Sequence, residues 1–278
     1  YNLRRFMEKT GSLGHLVPIS DYQIATLQRR YSFREVSTVP VLNMLSMARH
    51  GIYRLTDMVG NPRASEMLSL LSYDAAATFE RYDGTSFAEF AARIGLPESL
   101  RVIFNTFARA FFAESHLMSV AEVIKGFHYY YLSNDLGLLY DFLDDDFEAS
   151  FLEPARRFLE AQGTRIRLGE GVEELGRSGR EFVIKGQRFG SVVLAADVRA
   201  VAALAERSSS LGDESPATRE QLTGLKPSQR YAVLRLWLDR RQDEELPVFL
   251  STDRVRVLDS ITFYHDAEQG ARRWARET

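Results

Sequence analysis

The chain has 278 residues, 45% of them hydrophobic, and a net charge of −3 with both signs mixed along its length. That is enough apolar material for one large or two modest domains, and without a basic stripe it argues against nucleic acid as a partner. Cysteine is absent, which removes thiol nucleophiles, disulfides and thiolate metal sites together and suits a reducing cytoplasm.

No apolar run reaches the roughly 18 residues that spanning a bilayer needs. The sequence starts at Tyr1 without a methionine and stops within the helical pattern "ARRWARET", so it reads as part of a longer protein.

The first 36 residues suggest a short helix, "YNLRRFMEKTG", and then two strands around "YQIATL" and "RYSFREV". Helix dominates from about 41 to 132. Apolar residues at 41, 42, 45, 48, 52, 55 and 59 predict a helix that runs to Gly60. Ser86 and Glu89 form a capping box for "FAEFAARI", closed by Gly95, and Ser119 with Glu122 predicts a second box ahead of "VAEVIKGFHYYYL". Between them, Leu100, Ile103, Phe104, Phe107 and Phe111 share one helical face, a pattern that by itself describes a core.

Beyond residue 146 the period changes. Ser150 and Glu153 predict a third capping box, with Pro154 near the start of a helix that Gly163 ends. Strands are expected at "TRIRL", "FVIK" and "FGSVVLAA", and Asp197 is expected to cap "VRAVAALAE". "RSSSLGDESPATRE" reads as a surface loop. "QRYAVLRLWLDR" and parts of "PVFLSTDRVRVLDSITFYH" alternate with period two, as strands of a largely antiparallel sheet would. The expected divisions are 1–145, a hairpin and helical cap; 146–207, a helix and strands; and 208–278, antiparallel strands and the start of a helix.

Two hydrolytic motifs, G-x-S-x-G and H-E-x-x-H, are missing, and the five histidines show no metal-ligand spacing. The acidic stretch "DFLDDDF" has Asp141, Asp144 and Asp145 at i, i+3 and i+4. On a helix these carboxylates would share a face and could hold Mg²⁺ for a prenyl diphosphate. No second acidic cluster or phosphate-binding basic set accompanies them. The favoured reading is an acidic approach to the following helix, where the helix dipole welcomes negative charge, and no metal site is assigned.

Gly163, Ile166, Leu168, Val172 and Leu175 follow the pattern G-x-x-I-x-L-x-x-x-V-x-x-I, with leucine in its last position, and "VVLA" comes later. This block resembles the FAD-dependent amine-oxidase and phytoene-desaturase superfamily. "LKPSQRYAVLRLWLD", "VLDSITFYHDAEQGARRWA" and the stretch from "LSNDLGLLYDF" to "GTRIRLG" are similar to its carotenoid desaturase/methyltransferase branch, the isorenieratene-synthase-like enzymes. The resemblance covers nearly the whole sequence.

It implies an α+β fold, with a mixed or antiparallel sheet under a helical cap and a partial flavin-domain segment. It also implies an FAD-dependent oxidoreductase acting on a carotenoid-like polyene. The flavin would supply the chemistry, so no catalytic side chain is assigned. Val172 is the expected cofactor contact, through its main chain, and Phe104, Phe107, Phe111, His128, Tyr129 and Tyr130 are expected to line the substrate. G-x-G-x-x-G does not occur; the nearest stretch, "GEGVEE" at 169–174, puts Glu174 where the third glycine belongs. Both flavin-gripping ends therefore fall outside the sequence, and FAD binding by this stretch alone is expected to be weak or nil.

Two other readings stand beside this one. One is an apolar-ligand or partner-binding module without flavin; the other is a Mg²⁺-dependent prenyl enzyme. The cytoplasm is the expected location, with peripheral membrane contact through the helix from residue 41, which carries Arg49, His50 and Arg54 beside its apolar face. The oligomeric state is not indicated.

Overall fold

The computed structural model describes residues 2–58, 63–98, 100–101, 103–104, 113–210, 215–240, 246–253 and 257–277. Its architecture is α+β, divided into one unit of residues 1–163 and 231–278 and another of 164–230.

The larger unit opens with α1 (Asn2–Lys9) and strands β1 (Leu16–Pro18), β2 (Gln23–Ala25) and β3 (Arg30–Ser32). The expected pair around "YQIATL" and "RYSFREV" forms as the antiparallel hairpin β2–β3, Ile24 opposite Tyr31. The predicted helix from 41 is shorter than its apolar period: α2 ends at Arg49 (Leu42–Arg49). Gly51 takes a positive φ of 68°. The amide of Ile52 then reaches the Met47 carbonyl at 2.9 Å and that of Gly51 the Ala48 carbonyl at 3.0 Å. These two bonds close the helix as a Schellman motif, so local C-cap chemistry overrides the longer period.

Helices α3 (Ala64–Met67), α4 (Ala75–Tyr82), α5 (Phe87–Arg93) and α6 (Val120–Phe127) build the core of this unit. The capping box at Ser86 and Glu89 forms with both of its bonds. Ser119 caps α6, but through the amide of Ala121, while Glu122 pairs with Lys125 at 2.5 Å; the second box is a simple cap. Phe87, Phe90, Ile94, Ile103, Phe104, Ile124 and Phe127 pack into one apolar cluster. Phe104 lies 5.6 Å from the Phe87 ring and 5.2 Å from that of Phe127. A π-helical turn, His128–Leu132, follows α6 directly.

Strand β4 (Asp141–Leu143) pairs antiparallel with β1. A π-helical turn (Glu148–Leu152) then leads into α7 (Glu153–Ala161). This replaces the third capping box: the side chain of Asp146 accepts the Ala149 amide at 2.8 Å, and Glu153 binds Arg156 and Arg157 instead. Helix begins several residues earlier than Ser150, so the acidic residue ahead of it supplies the cap.

In the smaller unit, β5 (Gly176–Ser178), β6 (Glu181–Ile184) and β7 (Gln187–Phe189) make an antiparallel meander. Asp197 caps α8 (Val198–Arg207) through the amides of Arg199 and Ala200, as expected, and α9 (Pro216–Thr223) follows. The larger unit ends with β8 (Phe249–Thr252), β9 (Ser260–Thr262), α10 (Tyr264–Ala267) and α11 (Gln269–Glu277). Its sheet runs β3-β2-β8-β9, with β2 and β8 parallel.

Three expected strands, "TRIRL", "SVVLAA" and "QRYAVLRLWLDR", are not strands among the described residues. Their apolar residues stand out into solvent, Leu168 86%, Val193 87% and Leu234 80% exposed. Alternation selects which side chains share a face, but a strand also needs a neighbour for its hydrogen bonds.

Candidate functional site: an aromatic cavity between sheet and helical core

Register carries residues distant in sequence into one place. The parallel pairing of β2 with β8 sets Gln23 opposite Leu250, and so brings Tyr22 beside Phe249 and Ser251. The β1–β4 pairing continues as the Ile19 amide bonds the Tyr140 carbonyl at 2.8 Å. The π-helical turn after α6 supplies Tyr130 and Tyr131. Around these residues lies a cavity of about 490 Å³, completed on its apolar side by Phe33, Val36, Leu138 and Leu139.

Its rings lie nearly parallel. Tyr22 stacks on Tyr140 with centroids 5.3 Å apart and planes 25° apart, and on Phe249 at 5.9 Å and 20°. Tyr130 stacks on Tyr140 at 6.3 Å and 29°, and Phe33 meets Tyr22 edge-on. Such pairs hold one another by ~1 kcal/mol beyond their burial, which gives the wall a fixed shape. The Tyr22 hydroxyl shares a 3.0 Å hydrogen bond with Ser251. Next to Tyr22, buried Asp21 accepts from Ser32 at 2.6 Å and Gln23 at 2.5 Å, tying the start of β2 to β3.

Two more contacts fix the wall from behind. Asn43 of α2 donates to the Tyr131 carbonyl at 2.6 Å. Gly137 lies so close to the π-turn that a Cβ there would come within 2.8 Å of the Tyr130 carbonyl carbon and 2.9 Å of the Tyr129 oxygen. This close approach sets the course of the chain into Leu138, Leu139 and Tyr140.

The phenols are held neutral. Burial first, then neighbouring tyrosines, push Tyr131 and Tyr140 well above the usual phenol range. Tyr130 is raised for the same reasons. The polar lining is acidic or hydroxylic, with Glu35, Asp141, Asp259, Ser20, Thr38, Ser251 and Ser260 and no Lys, Arg or His among the described lining residues. Glu35 holds a φ of 66°, unusual for a residue with a Cβ, at the turn between Phe33 and Val36. The site thus offers flat aromatic faces and neutral hydroxyls to an apolar or uncharged ligand, and little to an anion.

Of the residues expected to line substrate, Tyr130 is on this wall. Tyr129 is 57% exposed and meets Tyr130 edge-on. His128 faces away to Tyr73 and the Leu70 carbonyl, 3.2 Å from its Nε2, and burial lowers its pKa against that bond. Phe104 sits in the helical core. Phe107 and Phe111 lie outside the described residues. Tyr22, Tyr140 and Phe249 carry no local signal in the sequence, because they sit singly and far apart in the chain.

The acidic stretch is structural glue. Asp141 is in β4, not on a helix with Asp144 and Asp145, so the three carboxylates do not share the spacing a diphosphate site would need. Asp141 pairs with Arg4, and Asp144 with His15 at 2.7 Å and Gln269 at 2.9 Å. Asp145 accepts the Gly270 amide at the start of α11 at 3.2 Å.

Residues 169–174 form no phosphate cradle. Gly169 bends at a φ of 71°, and the chain runs on to β5 rather than to a helix N-terminus. Val172, 41% exposed, lies in this stretch outside any strand. Among the described residues no helix is long and apolar enough to cross a membrane.

A lining of aromatic faces and hydroxyls with acidic residues beside them suits an apolar or uncharged ligand. No protein-family model matches the chain. Its whole length is similar to the carotenoid phi-ring synthase of Streptomyces griseus, 33% identical over 288 residues and covering 55% of that protein. A second relative, the carotenoid phi-ring synthase of Chlorobaculum tepidum, is 23% identical over 170 residues, 60% of the chain and 25% of that protein. The chain spans about half or less of the length of these relatives. The similarity supports kinship with carotenoid-modifying enzymes.

Proposed function

We propose that this chain forms the substrate-binding part of an enzyme that modifies a carotenoid, by desaturation or ring aromatisation. The observation that carries the reading is the near-parallel stack of Tyr130, Tyr140, Tyr22 and Phe249 around a cavity, in a chain similar along its length to a carotenoid phi-ring synthase.

A polyene has almost no polar handles, so affinity comes from buried area at ~25 cal/mol per Å² and from stacking. The wall's part in the reaction is to orient a ring face-on and to keep water out; its raised phenols donate hydrogen bonds but do not remove protons at neutral pH. Dehydrogenation also needs a two-electron acceptor. FAD is the acceptor proposed for the intact protein, with Val172 as the chain's contact to its adenine side. Residues 169–174 do not fit its pyrophosphate, so no step is routed through it. Peripheral membrane contact would use α2, where Leu42 and Leu45 are exposed.

The experiment is expression of the full-length protein in cells that accumulate a carotenoid with unmodified end rings, with pigment analysis by chromatography and mass spectrometry. New pigment with altered mass and spectrum is expected. Unchanged pigment from well-folded, flavin-loaded protein would refute the reading. A second reading is an apolar-ligand-binding module that works without flavin, a role the cavity's aromatic and hydroxyl lining would serve by itself. It predicts colourless protein that binds pigment without changing it.

A further inference from the structure

We infer that Asp144, which lies outside the cavity, is a positioning residue for its wall: it ties together the two sheets that carry the stacked rings and so sets their spacing. This rests on the reading that the cavity is where the ligand binds, and adds which residue holds its shape.

The cavity is walled by two sheets as well as by the π-turn. Tyr140 and Asp141 belong to the β1–β4 side, and Phe249, Ser251 and Ser260 to the β8–β9 side of the separate four-stranded sheet. A two-stranded ribbon is marginal in water by itself, and β1 contains Pro18, which has no amide hydrogen to give the ladder. At the cavity end the ribbon is closed by the Ile19 amide on the Tyr140 carbonyl. At the other end stands Asp144. Its amide donates to the His15 carbonyl at 3.0 Å, and one carboxylate oxygen meets His15 Nδ1 at 2.7 Å.

The rest of Asp144 reaches the second sheet, because β9 leads through α10 into α11. Its other carboxylate oxygen accepts from the Gln269 side chain at 2.9 Å, and its carbonyl accepts the Gln269 amide at 2.8 Å. Asp145 accepts the next amide, that of Gly270. The first amides of a helix have no partner within it, and Glu268, the residue before α11, is not a capping type. The cap comes instead from a turn 125 positions earlier. Gly270 suits the close approach, since a Cβ there would lie 3.3 Å from the Asp145 oxygen.

One side chain, 24% exposed, thus joins β1, β4 and α11. Asp144 is four residues from Tyr140, roughly 13 Å along an extended chain. A displacement at the tie is passed along this short strand to the Tyr140 ring, which stacks at 5.3 Å on Tyr22, beside β2 of the other sheet.

The test compares four variants of the full-length protein, by near-ultraviolet circular dichroism and by titration with β-carotene in detergent. Asp144→Ala and Gln269→Ala are expected to weaken binding about tenfold and to reduce the tyrosine signal of the stacked rings, with the far-ultraviolet spectrum unchanged. Asp144→Asn is expected to stay within about twofold of the parent, because its amide oxygen still accepts from His15 and its NH2 group donates to a turned Gln269 side chain. Ser86→Ala, which removes a cap in α5, is expected to lower Tm while leaving binding and tyrosine signal unchanged.

An undiminished tyrosine signal in both Asp144→Ala and Gln269→Ala would overturn the inference, as would an equal loss of binding in Ser86→Ala at the same fall in Tm. If Asp144→Ala fails to fold, Gln269→Ala, which leaves the His15 bond in place, decides by the same two readouts. A parent that does not bind β-carotene, with the tyrosine signal still lost in the two alanine variants, would sink the proposed ligand and leave the tie standing. Tight binding by the parent and by both alanine variants would do the reverse.

Discussion

Gly137→Ala is the most discriminating single change to the wall. The new Cβ would meet the carbonyl carbon of Tyr130 at 2.8 Å and the carbonyl oxygen of Tyr129 at 2.9 Å, with the Tyr130 oxygen closer still. Ordinary carbon–oxygen contacts lie at roughly 3.3–3.6 Å, so the overlap is about half an ångström or more at several atoms. All three are backbone atoms and cannot swing aside as a long side chain would.

Relief requires the π-turn His128–Leu132 or the segment entering Tyr140 to move. The turn is closed by the Ser133 amide on the His128 carbonyl at 2.8 Å, and its Tyr131 is held by Asn43. Overpacking of this kind costs about 1–3 kcal/mol, which for a domain of this size lowers Tm by roughly 2–4 °C per kcal/mol. Differential scanning calorimetry should show a fall of about 2–12 °C, together with weaker ligand binding, because the same shift displaces Tyr130 and Tyr140. A variant melting within a degree of the parent, with unchanged binding, would refute the idea that this approach sets the wall.

The buried phenols give a pH prediction. Tyr131 and Tyr140 have folded-state pKa values above the unfolded value near 10, so their contribution is complete below pH 10 and is lost as pH rises beyond it. Alkaline unfolding followed by circular dichroism should therefore begin above about pH 10, and Tyr140→Phe should shift its onset upward; an unchanged onset would contradict the burial assignment. His128 has the opposite dependence. Its pKa is lowered by burial, so stability should decline as pH falls below about 6.5, and His128→Gln should flatten that decline in melting curves. Ser86→Ala removes the capping bond to Glu89 at the start of α5 and should cost about 1 kcal/mol in urea titration.

What could be read from the sequence was what local chemistry decides. The box at Ser86 and Glu89 and the cap at Asp197 depend on residues within one turn, and both form. The hairpin around Ile24 and Tyr31 also pairs as its alternation suggests. Errors came where a local pattern met a second requirement. The apolar period after residue 41 continues past Gly51, but a positive φ there ends the helix. Ser150 matched a capping box, yet it lies buried inside a π-turn that Asp146 starts. The alternating segments around Ile166, Val193 and Leu234 have strand-like faces but no ladder.

The site was the least legible part. Its wall depends on the parallel β2–β8 register and on the β1–β4 ladder, which join residues more than a hundred positions apart. Tyr130 could be singled out because it stands in an aromatic run. Nothing near Tyr22 or Phe249 in the sequence says that they will stack.

The central claim is that the carotenoid lies against the aromatic wall of the cavity rather than against the helical layer. A carotenoid carrying a photoreactive diazirine on its end ring tests this directly, by irradiation with the full-length protein and peptide mapping by mass spectrometry. The account predicts labelling of Tyr22, Tyr130, Tyr140 or Phe249, around the cavity, and its loss in competition with excess unlabelled carotenoid. Labelling confined to the helical core around Phe87 and Phe104 would contradict it.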